Sequence, residues 1–287
     1  MNPHGYLPLR RLVWRLQGGR RRWMGMVTGS WERKRFYRHV SVYRCEESGR
    51  YGIKLDHRNL RTPLQQLFLV PFEPLALLAA QEWDGQVGVV NPSLMHVTSM
   101  CNTLLDNPRL ETRDTLTEEL GAFLESDTLR ARSSQPDTLV AMQEKEWDPV
   151  INWFNKRFGV RVAAYTSLLP PTVPPSSLAT VMPFIREMNR WSFTGFEVCV
   201  EACKSLILSC AVFEGRLGPE AAAELARLEV RYQTGQWGEV EWQHGLTHTH
   251  THTHTLHLLM CVSLYRLDSG ERWSGSMEWT KLTLELG

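Results

Sequence analysis

The sequence predicts an α+β protein, with a small β-rich amino-terminal domain followed by an all-helical carboxyl-terminal domain. Short runs of aromatic and β-branched residues separated by turn chemistry fill the region before Asn107. After it, apolar residues recur at helical spacing. With 287 residues, 43% hydrophobic and 22% charged, the chain has a globular composition and can bury one large core or two modest ones.

Phe36 to Tyr43 and Tyr51 to Asp56 read as the arms of a hairpin turning at Glu46-Glu47-Ser48-Gly49. Leu67 to Val70 supplies a further short strand. Between Glu73 and Trp83, Leu75, Leu78 and Ala79 fall on one helical face, so one helix is expected within this β region. Beyond Asn107, Leu116, Leu120, Phe123 and Leu124 form one helical stripe. Leu139, Met142 and Trp147 form the next, opened by Pro136. Asp148-Pro149 reads as a cap and first-turn proline that start a new helix, with Val150, Trp153, Phe154 and Phe158 inward and Gly159 ending it. After a proline-rich connector from Tyr165 to Ser177, helices are expected over Val181 to Asn189, Ser192 to Phe213 and Pro219 to Tyr232.

The ends of the chain differ from its middle. Residues 1–31 contain Arg10, Arg11, Arg15, Arg20, Arg21 and Arg22 and no acid, with Leu9, Leu12, Val13 and Leu16 between the charges. This pattern predicts a mitochondrial transit peptide. A basic arm for nucleic acid or membrane is the alternative, but the remaining residues, 26 basic against 31 acidic, carry no basic stripe to extend such a footprint. No nucleic-acid partner is therefore expected. Residues 247–287 begin with Thr-His repeated through Thr255. As protein, alternating histidines on a strand could chelate a metal. As coding sequence, a run of the dinucleotide AC translates to the same repeat, so this tail reads as aberrant or alternatively spliced and as disordered.

Composition also excludes several classes. The most apolar stretch, Phe196 to Phe213, is interrupted by Glu197, Glu201 and Lys204, so no segment is expected to span a bilayer. Six cysteines without a Cys-x-x-Cys pair suit a reducing compartment. Cys199, Cys203 and Cys210, at i, i+4 and i+11 of an expected helix, read as core packing rather than as metal ligands or reactive thiols. No phosphate loop, dinucleotide fingerprint, zinc-protease motif or nucleophile elbow occurs. Before the repeat the histidines are the scattered His4, His39, His57, His96 and His244. The acids Glu118, Glu119, Glu144 and Glu146 read as solvated helix faces. No catalytic residue, metal ligand or cofactor motif therefore gains positive support from the sequence. An enzyme of unrecognised class, or a metal binder acting through the histidine repeat, stays open as an alternative to the reading that the following strings support.

Several strings, in order and at matching spacing from about Arg33 to His244, resemble the mitochondrial ATP synthase assembly factor 2 family, chaperones of the alpha subunit. They are Lys34-Arg35-Phe36-Tyr37, Leu55-Asp56-His57-Arg58, Arg61-Thr62-Pro63, Glu82-Trp83-Asp84, Met95-His96, Cys101-Asn102-Thr103 and Leu105-Asp106-Asn107-Pro108. Further along stand Glu146-Trp147-Asp148-Pro149, Arg227-Leu228-Glu229, Tyr232-Gln233, Trp237-Gly238 and Glu241-Trp242 with His244. The resemblance implies a small β-rich domain joined to a helical domain, which agrees with the division into residues 32–106 and 107–246 that the change of period sets. It implies a matrix protein that binds the newly imported alpha subunit and releases it into the catalytic head, with no cofactor. It points to Glu229, with Arg227, Tyr232 and Trp237, as partner-binding positions. It marks Trp83, Asp84, Trp147 and Asp148 as structurally or functionally sensitive. The chain departs from the family at Val230 and Arg231, where acids are usual, and after His244, where the family continues helically.

Overall fold

The computed structural model describes residues 33–107, 113–167 and 169–238; the expected transit peptide and the Thr-His tail lie outside these residues. Strands β1 (Val40–Arg44) and β2 (Tyr51–Leu55) form the antiparallel hairpin, with Val42 opposite Ile53. Gly49, at φ 67°, closes the turn by donating its N–H to the Cys45 carbonyl at 2.8 Å, a left-handed conformation that favours glycine. The other edge of β2 is shared by two short strands, β3 (Arg58–Asn59) and β4 (Leu69–Val70), both antiparallel to it.

Helix α1 (Glu73–Asp84), with Pro74 in its first turn, lays Leu75, Ala76, Leu78 and Ala79 on the sheet. A second helix, α2 (His96–Asp106), follows. The region therefore holds two α-helices where the sequence predicts one. The start of α2 has no cap in its own sequence, because the carboxylate of Glu82, from α1, receives the N–H of Val97 at 2.6 Å and that of Thr98 at 2.8 Å.

Helices α3 (Arg113–Glu125), α4 (Asp137–Phe158), α5 (Pro175–Arg186), α6 (Arg190–Cys203), α7 (Leu206–Phe213), α8 (Pro219–Ala226) and α9 (Leu228–Trp237) complete the described chain. Helix α7 is buried on every side and is the post around which the others pack.

Three expected boundaries are corrected. Helix α4 is continuous through Pro149 rather than restarting there. Trp147, Val150, Ile151, Phe154 and Phe158 bury a single stripe that holds both halves in line, offsetting the backbone bond that proline cannot donate. Asp148 caps nothing, because Arg132 takes its carboxylate at 2.5 Å. The segment Ser192 to Phe213 is two helices, broken at Lys204 (φ 52°) and restarted by the Ser205 hydroxyl, which accepts from the Leu208 N–H at 3.0 Å. Cys199 and Cys210 are both buried, but on different helices. The segment from Pro219 to Tyr232 is likewise divided, at Arg227.

Buried hydrophobic residues fall into two clusters. One joins Tyr37, Ile53, Phe68, Leu75 and Val97 to the inner face of the sheet. The other runs from Leu120 to Leu228 around α7. They meet where α2 and α6 pack, and there the Arg190 guanidinium donates to the Leu104 carbonyl.

Candidate functional site

Helix α9 runs back along the first half of α4, and side chains from the two helices meet rung by rung. The Thr138 and Tyr232 hydroxyls lie 2.6 Å apart. The Gln143 amide donates to Glu229 Oε1 at 2.8 Å. Arg231 pairs with Glu146 at 2.5 Å and with Glu224, on α8, at 3.2 Å. Trp147 has no exposed surface, and its indole N–H donates to the Leu225 carbonyl at 3.0 Å. The seam thus joins an aromatic anchor to a row of polar contacts.

Below the seam is a cleft of about 210 Å³, lined by Arg132, Val140, Gln143, Glu144 and Tyr165 among others. It lies where the chain at Ala131 pairs in parallel with Tyr165. The Arg132 side chain is only 8% exposed, stacks its guanidinium 5.2 Å from the Trp147 ring centroid and bonds Asp148. Its Nε and Nη1 are buried without a hydrogen-bond acceptor. Burial lowers the Arg132 pKa, and the facing Asp148 works against that shift.

Of the residues expected to matter, Trp147, Asp148, Glu229 and Tyr232 come together at this seam. Arg227 lies at the junction of α8 and α9, and Trp237 ends α9 with 77% of its surface exposed. Trp83 and Asp84 are elsewhere, at the end of α1 in the first cluster. Tyr37 packs edge-on to Trp83 and donates its hydroxyl to the Trp83 carbonyl at 2.6 Å. Asp84 pairs with Arg35 at 3.0 Å, while the same guanidinium donates to the carbonyls of Asp84 and Gln86 at 2.7 Å.

Sequence reasoning missed Gln143, Arg132 and the bridging of Arg231. Gln143 carried a signal: it stands four residues from both Leu139 and Trp147, so an uncharged polar group sits inside a buried stripe and must find partners there. Arg132 and the Arg231–Glu146 pair carried none, since the acids stand 16 and 85 positions away on other elements.

Two acids lie far above the usual carboxylate range, as catalytic acids often do. Burial pushes Glu82 up to about 7 and Asp127 up to about 6, each against hydrogen bonds that favour the ionised form. Neither lines the cleft. Glu82 caps α2, and Asp127 accepts from the Ser205 hydroxyl at 2.7 Å and the Ile207 N–H at 3.0 Å at the start of α7. Both perturbed acids are occupied in holding helices. Among the described residues no group of three His, Cys, Asp or Glu could hold a metal ion, and no helix is long and apolar enough to cross a membrane.

Fold and seam together define a two-core α+β protein whose polar side chains are arranged for contact between elements. The family model described as ATP12 chaperone protein matches residues 34–155. The mitochondrial protein atp12 of Schizosaccharomyces pombe is 29% identical over 222 residues, 74% of this chain and 76% of that protein. The crystal structure of Atp12 from Paracoccus denitrificans superposes with a TM-score of 0.68 at 27% identity, covering 83% of this chain and 99% of that one. Atu1473 from Agrobacterium tumefaciens superposes with a TM-score of 0.71 at 31% identity, covering 81% and 85%. The chain belongs to the ATP12 chaperone family.

Proposed function

We propose that this protein is a molecular chaperone of ATP synthase assembly in the mitochondrial matrix. It binds the unassembled alpha subunit of F1-ATPase and hands it over to the catalytic head. Family membership supports the chaperone role, and the mitochondrial relative supports the organelle.

The observation that carries the reading is the composition of α9. Glu229, Tyr232 and the exposed Trp237 lie on this one helix, with Arg227 just before it. Aromatic and charged side chains on a fixed frame are what protein interfaces use as anchors. An unpaired subunit exposes a large apolar face, and a temporary partner covering it prevents aggregation. Release then follows by mass action when the permanent partner competes for the same face. Such a cycle needs no cofactor and no bond making.

The test is aggregation of isolated alpha subunit, followed by light scattering, with and without the full chain. Suppression at near-stoichiometric amounts is expected, and Glu229→Lys is expected to lose most of it while melting within a few degrees of the parent. Full protection by that variant would remove Glu229 from the contact.

A further inference from the structure

Gln143 has no exposed surface, yet it is the only link between the Glu229 carboxylate and the interior among the described residues. Its amide polarity is set from behind. The Ser133 N–H donates to Gln143 Oε1 at 3.0 Å, so the amide nitrogen must face Glu229. The bond it makes there, at 2.8 Å, is a charge-assisted one to a carboxylate. The cation next in line does not compete, because Arg231 is spent on Glu146 and Glu224. Among the described residues Glu229 is therefore a carboxylate held at one oxygen by a buried donor and paired with no cation. One turn on, the contact between Tyr232 and Thr138 fixes the rotation of α9 that aims it.

We infer that Gln143 is the positioning residue of the client site, holding Glu229 so that its other oxygen accepts from a lysine or arginine side chain of the client. This rests on the proposed alpha-subunit chaperone function and names the chemistry of one contact within it. A surface carboxylate free to rotate loses side-chain entropy when it pairs, and that loss makes most exposed ion pairs weak. Gln143 removes the loss in advance.

The experiment is binding of purified F1 alpha subunit to the full chain, measured across a salt series, with a thermal melt for each variant. Gln143→Leu and Glu229→Gln are each expected to weaken binding by roughly tenfold or more and to flatten its salt dependence. The double variant is expected to bind no worse than Glu229→Gln alone, because the two residues act as one unit. If Gln143→Leu melts lower but binds with parental affinity and salt slope, Gln143 is structural and the inference is overturned. That outcome leaves the chaperone reading standing if Glu229→Gln is impaired, whereas a parent chain that binds no alpha subunit overturns both.

Should Gln143→Leu fail to fold, Gln143→Met serves instead, filling the same space with a flexible apolar side chain that donates no hydrogen bond. Binding and salt slope that fall towards those of Glu229→Gln support the inference, and parental binding with the parental salt slope overturns it.

Discussion

Glu82 lies between α1 and α2, and its carboxylate receives two backbone N–H groups and the Thr98 hydroxyl, the last at 2.7 Å. Burial outweighs these bonds and holds its pKa near 7, against 4.5 for an ordinary glutamate. Between those two values the folded protein retains a proton that the unfolded chain has released. Where the native state binds more protons, stability falls as pH rises. Glu82 therefore contributes most below pH 4.5, loses that contribution up to about pH 7 and is level above it, a change on the order of 3 kcal/mol at most. Urea unfolding of the parent and of Glu82→Gln at pH 5 and pH 7.5 checks this. The parent should lose more stability between the two pH values than the variant does, and equal losses would place the pH dependence elsewhere. Residue identity alone could not reveal this role, because the donors stand fifteen and sixteen positions away. The string Glu82-Trp83-Asp84 drew attention through resemblance, and the structure supplies the physical content: a cap, an aromatic contact and an ion pair.

The break between α6 and α7 is an element-scale counterpart. Hydrophobic spacing from Ser192 to Phe213 reads as one helix, since every turn offers an apolar face. The chain leaves the first helix at Lys204, and the second starts at Ser205, whose hydroxyl caps α7 while donating to the Asp127 carboxylate. Removing that hydroxyl withdraws one cap and one partner of a buried acid. Ser205→Ala is expected to cost about 1–2 kcal/mol in chemical denaturation, more than an exposed cap would. A loss below about 0.5 kcal/mol would mean that Asp127 alone sets the helix start. The opposite error occurred at Pro149, where a strong local stop signal was overridden by the stripe from Trp147 to Phe158. Local chemistry decides a boundary only when tertiary burial does not oppose it.

At the scale of the molecule, the fold class was legible because the two regions differ in hydrophobic period, and period reports which face is buried. The hairpin at Gly49 and the helix at Glu73 were readable for the same reason, with turn and first-turn residues in place. The α4–α9 seam was half legible. Resemblance pointed to Glu229, but its partner Gln143 is 86 positions away and its meaning depends on the packing of two helices. Arg231 is paired with Glu146 and Glu224, which leaves Glu229 unpaired with any described cation. The two buried clusters and the α2–α6 contact between them give the chain a frame on which α9 is presented.

The central claim is that this frame carries alpha subunit temporarily, and handover tests it most directly. Full-length protein is mixed with isolated alpha subunit, the complex is purified, and beta subunit is titrated in while both species are followed by size-exclusion chromatography. Alpha subunit held soluble in a complex with this chain, then appearing with beta subunit as the chaperone elutes free, is the predicted result. Alpha subunit that aggregates despite the chaperone, or a complex that beta subunit cannot displace, would contradict the account.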